Sequence, residues 1–323
     1  MITLSKIAKL AHVSVSTASK AFAMSNEVNE QTREEIFKVA KELGCFRKFY
    51  NAKYPKYVIA VICPELQSLH YSFALSTLQE NLASQNCEIC VATTNFSEET
   101  EQLLLDYYHY HTSVDAIVII QGLIPITDTY EIPIIAVNSS CPQPNTVSIT
   151  TDFETSVANA IEFFVKHGIT DIGYLGETKS LGRELMFKNQ MQQKAGGYRE
   201  EHVIVSDLRF QKGGYAAMEE LLKQENYPRA IICAYDYFAI GATRCILDHG
   251  LSVPEDVAII SIDDLPEAKY LNPPLSSINP LHEEVYKTAA DSIVKLINNE
   301  TIDMDITIGS KLYLRESSKI DDI

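Results

Sequence analysis

The chain has 323 residues, 46% of them hydrophobic, and a formal net charge of −16. That length suggests two or three compact units with ample core material, and no apolar run approaches the ~18 residues that would cross a membrane. No secretion signal precedes the first helical pattern, and seven scattered cysteines point to reduced thiols and a cytoplasmic protein.

Residues 1–57 hold ten Lys and Arg against five Glu, which leaves −21 for the remainder. A basic head on an acidic body fits a head that meets phosphate. Within the head, Thr3 is placed to cap a first helix with Ile7, Ala8, Leu10 and Ala11 on its apolar side. His12-Val13-Ser14 then reads as a tight turn, with Ser14 capping a second helix whose Ala18 and Phe22 face inward. Asn29 is placed to cap a third helix through Leu43, stopped by Gly44. Three short helices of this kind form a helix-turn-helix, which presents its second helix to the major groove. Val15, Ser16, Thr17, Ser19 and Lys20 are the expected recognition face. Lys6, Ser14, Asn29, Thr32 and Arg33 are further expected DNA contacts. A bare three-helix interaction module would show the same core; the small polar recognition face favours DNA. The boundary is expected at residue 44, followed by a basic linker over 45–57. In that linker Phe46, Phe49 and Tyr50 either pack onto folded protein or touch DNA.

From Tyr57 onward, apolar strand-like runs alternate with helical patterns. Val58–Cys63, Cys90–Thr93, Ala116–Ile120 and Pro133–Val137 form one series. Ile172–Leu175, His202–Val205, Ala230–Ala234 and Val257–Ile262 form a second. Strands alternating with helices imply parallel sheets, and two successive sets imply two lobes. Ligands of such sheets lie beyond the strand C-termini. Asn138, Asp236, Asp263 and Asp264 fall at those ends, and Arg183 begins a helix just after one of them. An Asp in such a place can equally cap the next helix, most plainly at Asp236 and Asp264. Tyr71, Phe187 and Phe238 are candidate walls for a ligand's C–H face, against the ordinary alternative of core residues.

The motifs of both parts resemble one family. Ile7-Ala8, Ala11, Val13-Ser14, Thr17, Ser19-Lys20, Val28-Asn29, Thr32-Arg33 and Leu43-Gly44 stand in the head. Val253-Pro-Glu-Asp-Val257, Ile260-Ser-Ile-Asp-Asp264, Pro273-Pro-Leu-Ser-Ser277 and Leu314-Arg-Glu-Ser-Ser318 follow in the body. In order and spacing they resemble the lactose/galactose-repressor (LacI/GalR) family over essentially the whole chain, closest to its galactose-repressor and evolved β-galactosidase-repressor branch. The resemblance implies an α/β fold, with an all-α helix-turn-helix head and a two-lobed periplasmic-binding-protein-like body over 58–323. Its chain crosses between lobes near Thr150, Asn279 and Ile308, so lobe 1 takes about 58–150 and 280–307 and lobe 2 takes 151–279 and 308–323. It also implies that Arg183, Asp263 and Asn138 hold a sugar, with Tyr235 at a pocket position. Tyr54 stands where the family carries a Leu that wedges into the minor groove, and Lys20 where it commonly carries Arg. His12 stands where a turn Gly is usual.

The implied function is sequence-specific binding of operator DNA by a homodimer, repressing galactoside-utilisation genes until a small sugar releases it. A co-repressor-activated regulator of the same family, tightened by its ligand, has the same sequence pattern. A sugar-binding protein without a DNA role would lack the head. No phosphate-binding, nucleophile-elbow or dinucleotide motif is present, so neither an enzyme nor a cofactor is expected. His109 and His111 lie on different faces of a helix, and Cys87-Glu-Ile-Cys90 has no second pair, so no metal site is expected.

Overall fold

The computed structural model describes residues 3–50, 57–126, 130–139 and 146–320. Contacts divide the chain into two compact units, one built from residues up to Val58 with Asn86–Glu88, the other from the remainder.

The head begins with α1 (Leu4–Leu10), α2 (Val15–Phe22) and α3 (Glu30–Glu42). Each starts on the capping residue that the sequence predicts: the side chains of Thr3, Ser14 and Asn29 accept from the amides of Lys6, Thr17 and Thr32. His12 closes the turn between α1 and α2 at φ +54, the left-handed region where a Cβ is strained by about 1–2 kcal/mol. Ile7, Ala8, Ala18, Ala21, Phe22, Ile36 and Ala40 form the buried core, whereas Leu10 is half exposed. Packing continues past Gly44 into a short α4 (Phe46–Phe49). Phe22, Phe37, Phe46, Phe49 and Tyr50 form one aromatic cluster, with Phe46 stacked on Tyr50 at 4.6 Å. The linker aromatics therefore finish the head's core, which runs to Tyr50.

The body has two six-stranded sheets. Sheet one comprises β1 (Tyr57–Cys63), β2 (Cys87–Thr93), β3 (Ala116–Ile120), β4 (Ile134–Val137), β5 (Thr146–Thr151) and β11 (Asp305–Ile308), in the order β11-β5-β4-β3-β1-β2. Sheet two comprises β6 (Ile172–Glu177), β7 (Val203–Ser206), β8 (Ala230–Cys233), β9 (Ala258–Ile262), β10 (Ser276–Asn279) and β12 (Lys311–Tyr313), in the order β12-β10-β9-β8-β6-β7. β1 pairs in parallel with β3, and β6 with β8; β12 runs antiparallel to β10. β1 reads as an apolar run, and β9 as one interrupted by Ser261, because both faces of such strands are covered by helices.

The helices follow the strands. α5 (Leu69–Ser84) and α6 (Glu98–Tyr110) belong to lobe 1, as does α11 (His282–Ile297), which packs on α5. Val285, Ala289, Ile293 and Leu296 form one stripe of α11; the first three are buried inside this lobe and Leu296 is half-buried. α7 (Phe153–Lys166), α8 (Leu181–Lys194), α9 (Phe210–Leu221) and α10 (Asp236–Asp248) belong to lobe 2. α9 and α10 approach so closely that a Cβ on Gly241 would lie 2.0 Å from the Gln211 carbonyl. The chain passes between lobes after β5, after β10 and between β11 and β12.

The last family motif is a staple for lobe 2. Arg315 binds Asp264 at 2.7 Å, Ser317 Oγ donates to the Ile259 carbonyl, and Ser318 Oγ meets Ser276 Oγ at 2.7 Å. Among the described residues, no helix is long and apolar enough to cross a membrane.

Candidate functional sites in the head and the cleft

On the head, Lys6, Val15, Ser16, Ser19 and Lys20 are exposed. An apolar side chain such as Val15, 48% exposed at the start of a helix, is available for contact with a thymine methyl. Lys20 Nζ lies 2.5 Å from Glu27 Oε2, so its charge is matched within the head. Arg33 donates to the carbonyls of Ser25 and Val28 and braces the loop before α3. Ser14 and Asn29 are both caps, and Thr17 Oγ1 meets Ser14 Oγ at 2.8 Å. Tyr54 lies outside the described residues.

In the body, strand orders 2-1-3 and 7-6-8 each reverse direction at the first strand of the lobe. Crevices open at such switch points, beyond the strand C-termini. The two crevices face each other as one cleft of about 710 Å³, within the range for small-molecule sites. Glu65, Ser68, His70, Tyr71, Gln121, Asn138 and Ser139 line it from lobe 1. Glu177, Lys179, Arg183, Met186, Arg209, Phe210, Tyr235 and Asp263 line it from lobe 2.

Two guanidinium centres organise the cleft. Arg183, at the start of α8, donates to Asp263 Oδ1 at 2.9 Å and to the Ala234 carbonyl, with Phe153 5.4 Å beneath it. Asp263 leaves β9 at φ +112, which turns its carboxylate toward Arg183, while Asp264 at φ +48 turns to Arg315 and Asn279. Strained backbone of this sort is kept where surrounding structure over-determines it. Burial alone would raise the Asp263 carboxyl; Arg183, and then His70, outweigh it and hold the group below its usual range. His70 approaches from lobe 1, its Nδ1 3.5 Å from Asp263 Oδ1, and its ring sits 4.8 Å from that of His282. Burial and the neighbouring His70 lower His282 to about 3, so this second imidazole is neutral.

Arg209 is the second centre. Its two terminal nitrogens bind both oxygens of Glu65, at 2.9 and 2.7 Å, across the lobes. Its Nε donates to Glu177 Oε1 at 3.1 Å. Glu177 in turn accepts from the Tyr235 hydroxyl, which itself accepts from the Phe210 amide. Phe96 and Phe210 flank the guanidinium at 5.0 and 4.5 Å.

The two parts also match known proteins. Residues 3–46 match bacterial regulatory proteins of the lacI family, and residues 161–318 match the periplasmic binding protein-like domain. The first match falls on the helix-turn-helix and the second on the cleft-bearing body. The chain carries a helix-turn-helix of the lacI family on a periplasmic binding protein-like body.

With these two parts the chain is a DNA-binding transcriptional regulator. It is 29% identical to a transcriptional regulator GalR of Streptococcus thermophilus, over 99% of this chain and 100% of that one. It is 25% identical to a probable repressor ExuR of Bacillus subtilis, over 98% of each. The lac repressor dimer bound to operator and an anti-inducer shares the fold, with a TM-score of 0.73 at 18% identity over 98% of this chain and 99% of that one.

Of the residues expected around the ligand, Tyr71, Asn138, Arg183, Tyr235 and Asp263 line the cleft. Phe187 and Phe238 do not. Phe187 stacks on Tyr174 at 5.2 Å, and both Phe187 and Phe238 are fully buried in the lobe 2 core. Phe187 thus packs on β6, whereas Phe238 packs between α10 and Gly213 of α9, beside the ring of Tyr235. The aromatic walls are instead Phe96, Phe153 and Phe210. Phe153 opens α7 just past the end of β5, and Phe210 opens α9 after the short loop that follows β7. Arg183 and Asp263 come from the same lobe and touch, rather than facing each other across the crevice. Asn138 Oδ1 accepts from the Thr151 amide at 2.8 Å, which leaves its amide hydrogens for the cleft. Asp236 is a structural carboxylate, taken up by Ser261, Ser277 and the Leu265 amide. Burial and the charge of Asp263 push it up to about 7. Glu65, His70, Glu177 and Arg209 escaped sequence reading altogether.

Proposed function

We propose that this regulator is a cytoplasmic homodimer that represses sugar-utilisation genes and is released from its operator by a small neutral sugar, most simply a galactoside. The observation that carries the reading is the internal pairing of the two guanidinium groups of the cleft. Both of its guanidinium groups are already matched, Arg183 by Asp263 and Arg209 by Glu65 and Glu177. Polar groups that satisfy one another's charge, beside Phe153 and Phe96, suit a polyhydroxylated ring with apolar C–H faces. Full-length similarity to a GalR regulator supports galactose or a galactoside as the ligand. A dimer follows from the head, since one recognition helix covers one half-site.

A gel shift with operator DNA, with and without D-galactose and β-galactosides, tests the direction of coupling. Release is the expected result. Tighter binding would instead make this a co-repressor-activated regulator. Indifference to every sugar would reject the effector.

The proposed DNA face carries its own prediction. Lys20→Ala is expected to weaken operator binding by about 1–3 kcal/mol and to reduce the salt slope by about one charge. Glu27→Gln should do the reverse, because it frees Lys20 for phosphate or guanine. Titrations at two salt concentrations in which neither variant differs from wild type would remove Lys20 from the interface.

A further inference from the structure

Arg209 offers a ready-made site for a carboxylate, and that site is filled from within. A guanidinium binds a carboxylate best through two parallel hydrogen bonds from one edge of its planar fork. In Arg209 that edge, the two terminal nitrogens, is taken by both oxygens of Glu65. The remaining edge, at Nε, is taken by Glu177. Glu177 is itself fixed by Tyr235, whereas the carboxylate of Glu65 is held by no hydrogen bond other than those from Arg209 among the described residues. The guanidinium is braced between Phe96 and Phe210, so it cannot easily swing away. Glu65 and Arg209 both line the cleft, and Glu65 is 7% exposed.

We propose that Glu65 is the residue that restricts this cleft to neutral sugars: its carboxylate occupies the place where the acid group of a hexuronate would bind Arg209. The inference rests on the reading of the cleft as a sugar site. A uronate entering the wild-type cleft must displace Glu65 and then lie beside it, two like charges at short range with one partner between them. Discrimination of this kind comes from a built-in repulsion as much as from contacts to the right ligand. A neutral hexose loses no ionic partner and meets no such repulsion. Shortening Glu65 to Ala opens the bidentate edge of Arg209 and leaves Glu177 to hold the guanidinium in place.

The test is calorimetry of the full-length protein with D-galactose, D-galacturonate and D-glucuronate, for wild type, Glu65→Ala and Glu65→Gln. Wild type should bind neither uronate measurably. Glu65→Ala should gain at least ten-fold in affinity for one of them, and the gain should fall with added salt because it is ionic. Glu65→Gln, which keeps the shape and loses the charge, serves if the Ala variant does not fold, and should gain less. Uronate affinity that stays undetectable in both variants overturns the proposal, as does wild-type protein that already binds a uronate. The galactose arm decides the sugar reading separately. A gain in uronate binding without any galactose binding would uphold the role of Glu65 and reject galactose as the effector.

Discussion

Asp263→Ala and Arg183→Ala are expected to leave operator binding in place and to cut the response to effector by several-fold to about a thousand-fold. The two side chains form one unit, 2.9 Å apart, with side-chain exposures of 7% for Asp263 and 15% for Arg183. Removing Asp263 strands a buried guanidinium, whose remaining partners are the Ala234 carbonyl and the face of Phe153. Removing Arg183 strands a carboxylate whose ionisation depends on that guanidinium more than on any other group. Each single variant therefore loses ligand contacts and also disturbs its partner. The double variant should fall well short of the sum of the singles, as coupled neighbours do. Because the head folds around its own core, operator affinity should stay within a few-fold of wild type. In cells such proteins would repress without heeding inducer. Calorimetry with galactose and β-galactosides, paired with gel shifts, checks both halves. Additive losses would show that Arg183 and Asp263 act independently, and wild-type-like binding in both would remove them from the site.

The architecture was readable because its signals repeat. The three caps Thr3, Ser14 and Asn29 are local hydrogen-bonding devices, and each sits where its residue type says it should. The strand runs are long, apolar and evenly spaced, so two parallel sheets follow from period and order alone. The cleft was readable only in part. A polar residue at a strand end announces itself, and Asn138, Arg183 and Asp263 were found that way. What was hidden depends on distance across the fold. Glu65 and Arg209 are 144 positions apart, and nothing local marks them as partners. His70 looks like an ordinary helix residue until Asp263 is placed beside it. The wall residues depend on side-chain direction: Phe187 and Phe238 sit on helices that border the cleft but turn into the lobe 2 core, one onto β6 and the other onto α9. The contact between Arg183 and Asp263 was missed because the left-handed turn at Asp263, unlike a glycine turn, has no compositional marker.

Arg209→Ala is expected to be among the most damaging single substitutions in the body. It removes the common partner of two carboxylates, Glu65 and Glu177, whose side chains are 9% and 3% exposed. Breaking a buried ion pair from one side costs about 3–5 kcal/mol, because the charge left behind has no water to return to. For a unit of this size that corresponds to a fall in melting temperature on the order of 10 °C. The loss is also directional. Glu65 belongs to lobe 1 and Arg209 to lobe 2, so the variant gives up an ionic bridge between the lobes as well as local stability. Effector binding should weaken with it, since a ligand held by both lobes then has to bring them together without that bridge. The mechanism can be separated from simple loss of packing. If the stranded charges are the cause, neutralising them should rescue the protein. Arg209→Ala combined with Glu65→Gln and Glu177→Gln should recover more than half of the lost melting temperature, although it contains three substitutions. If packing of the arginine stem against Phe96 and Phe210 is the cause, the triple variant should be no better than the single one. Thermal denaturation of wild type, the single and the triple variant distinguishes the two, and a single variant within about 2 °C of wild type would show that Glu65 and Glu177 are solvated without their partner.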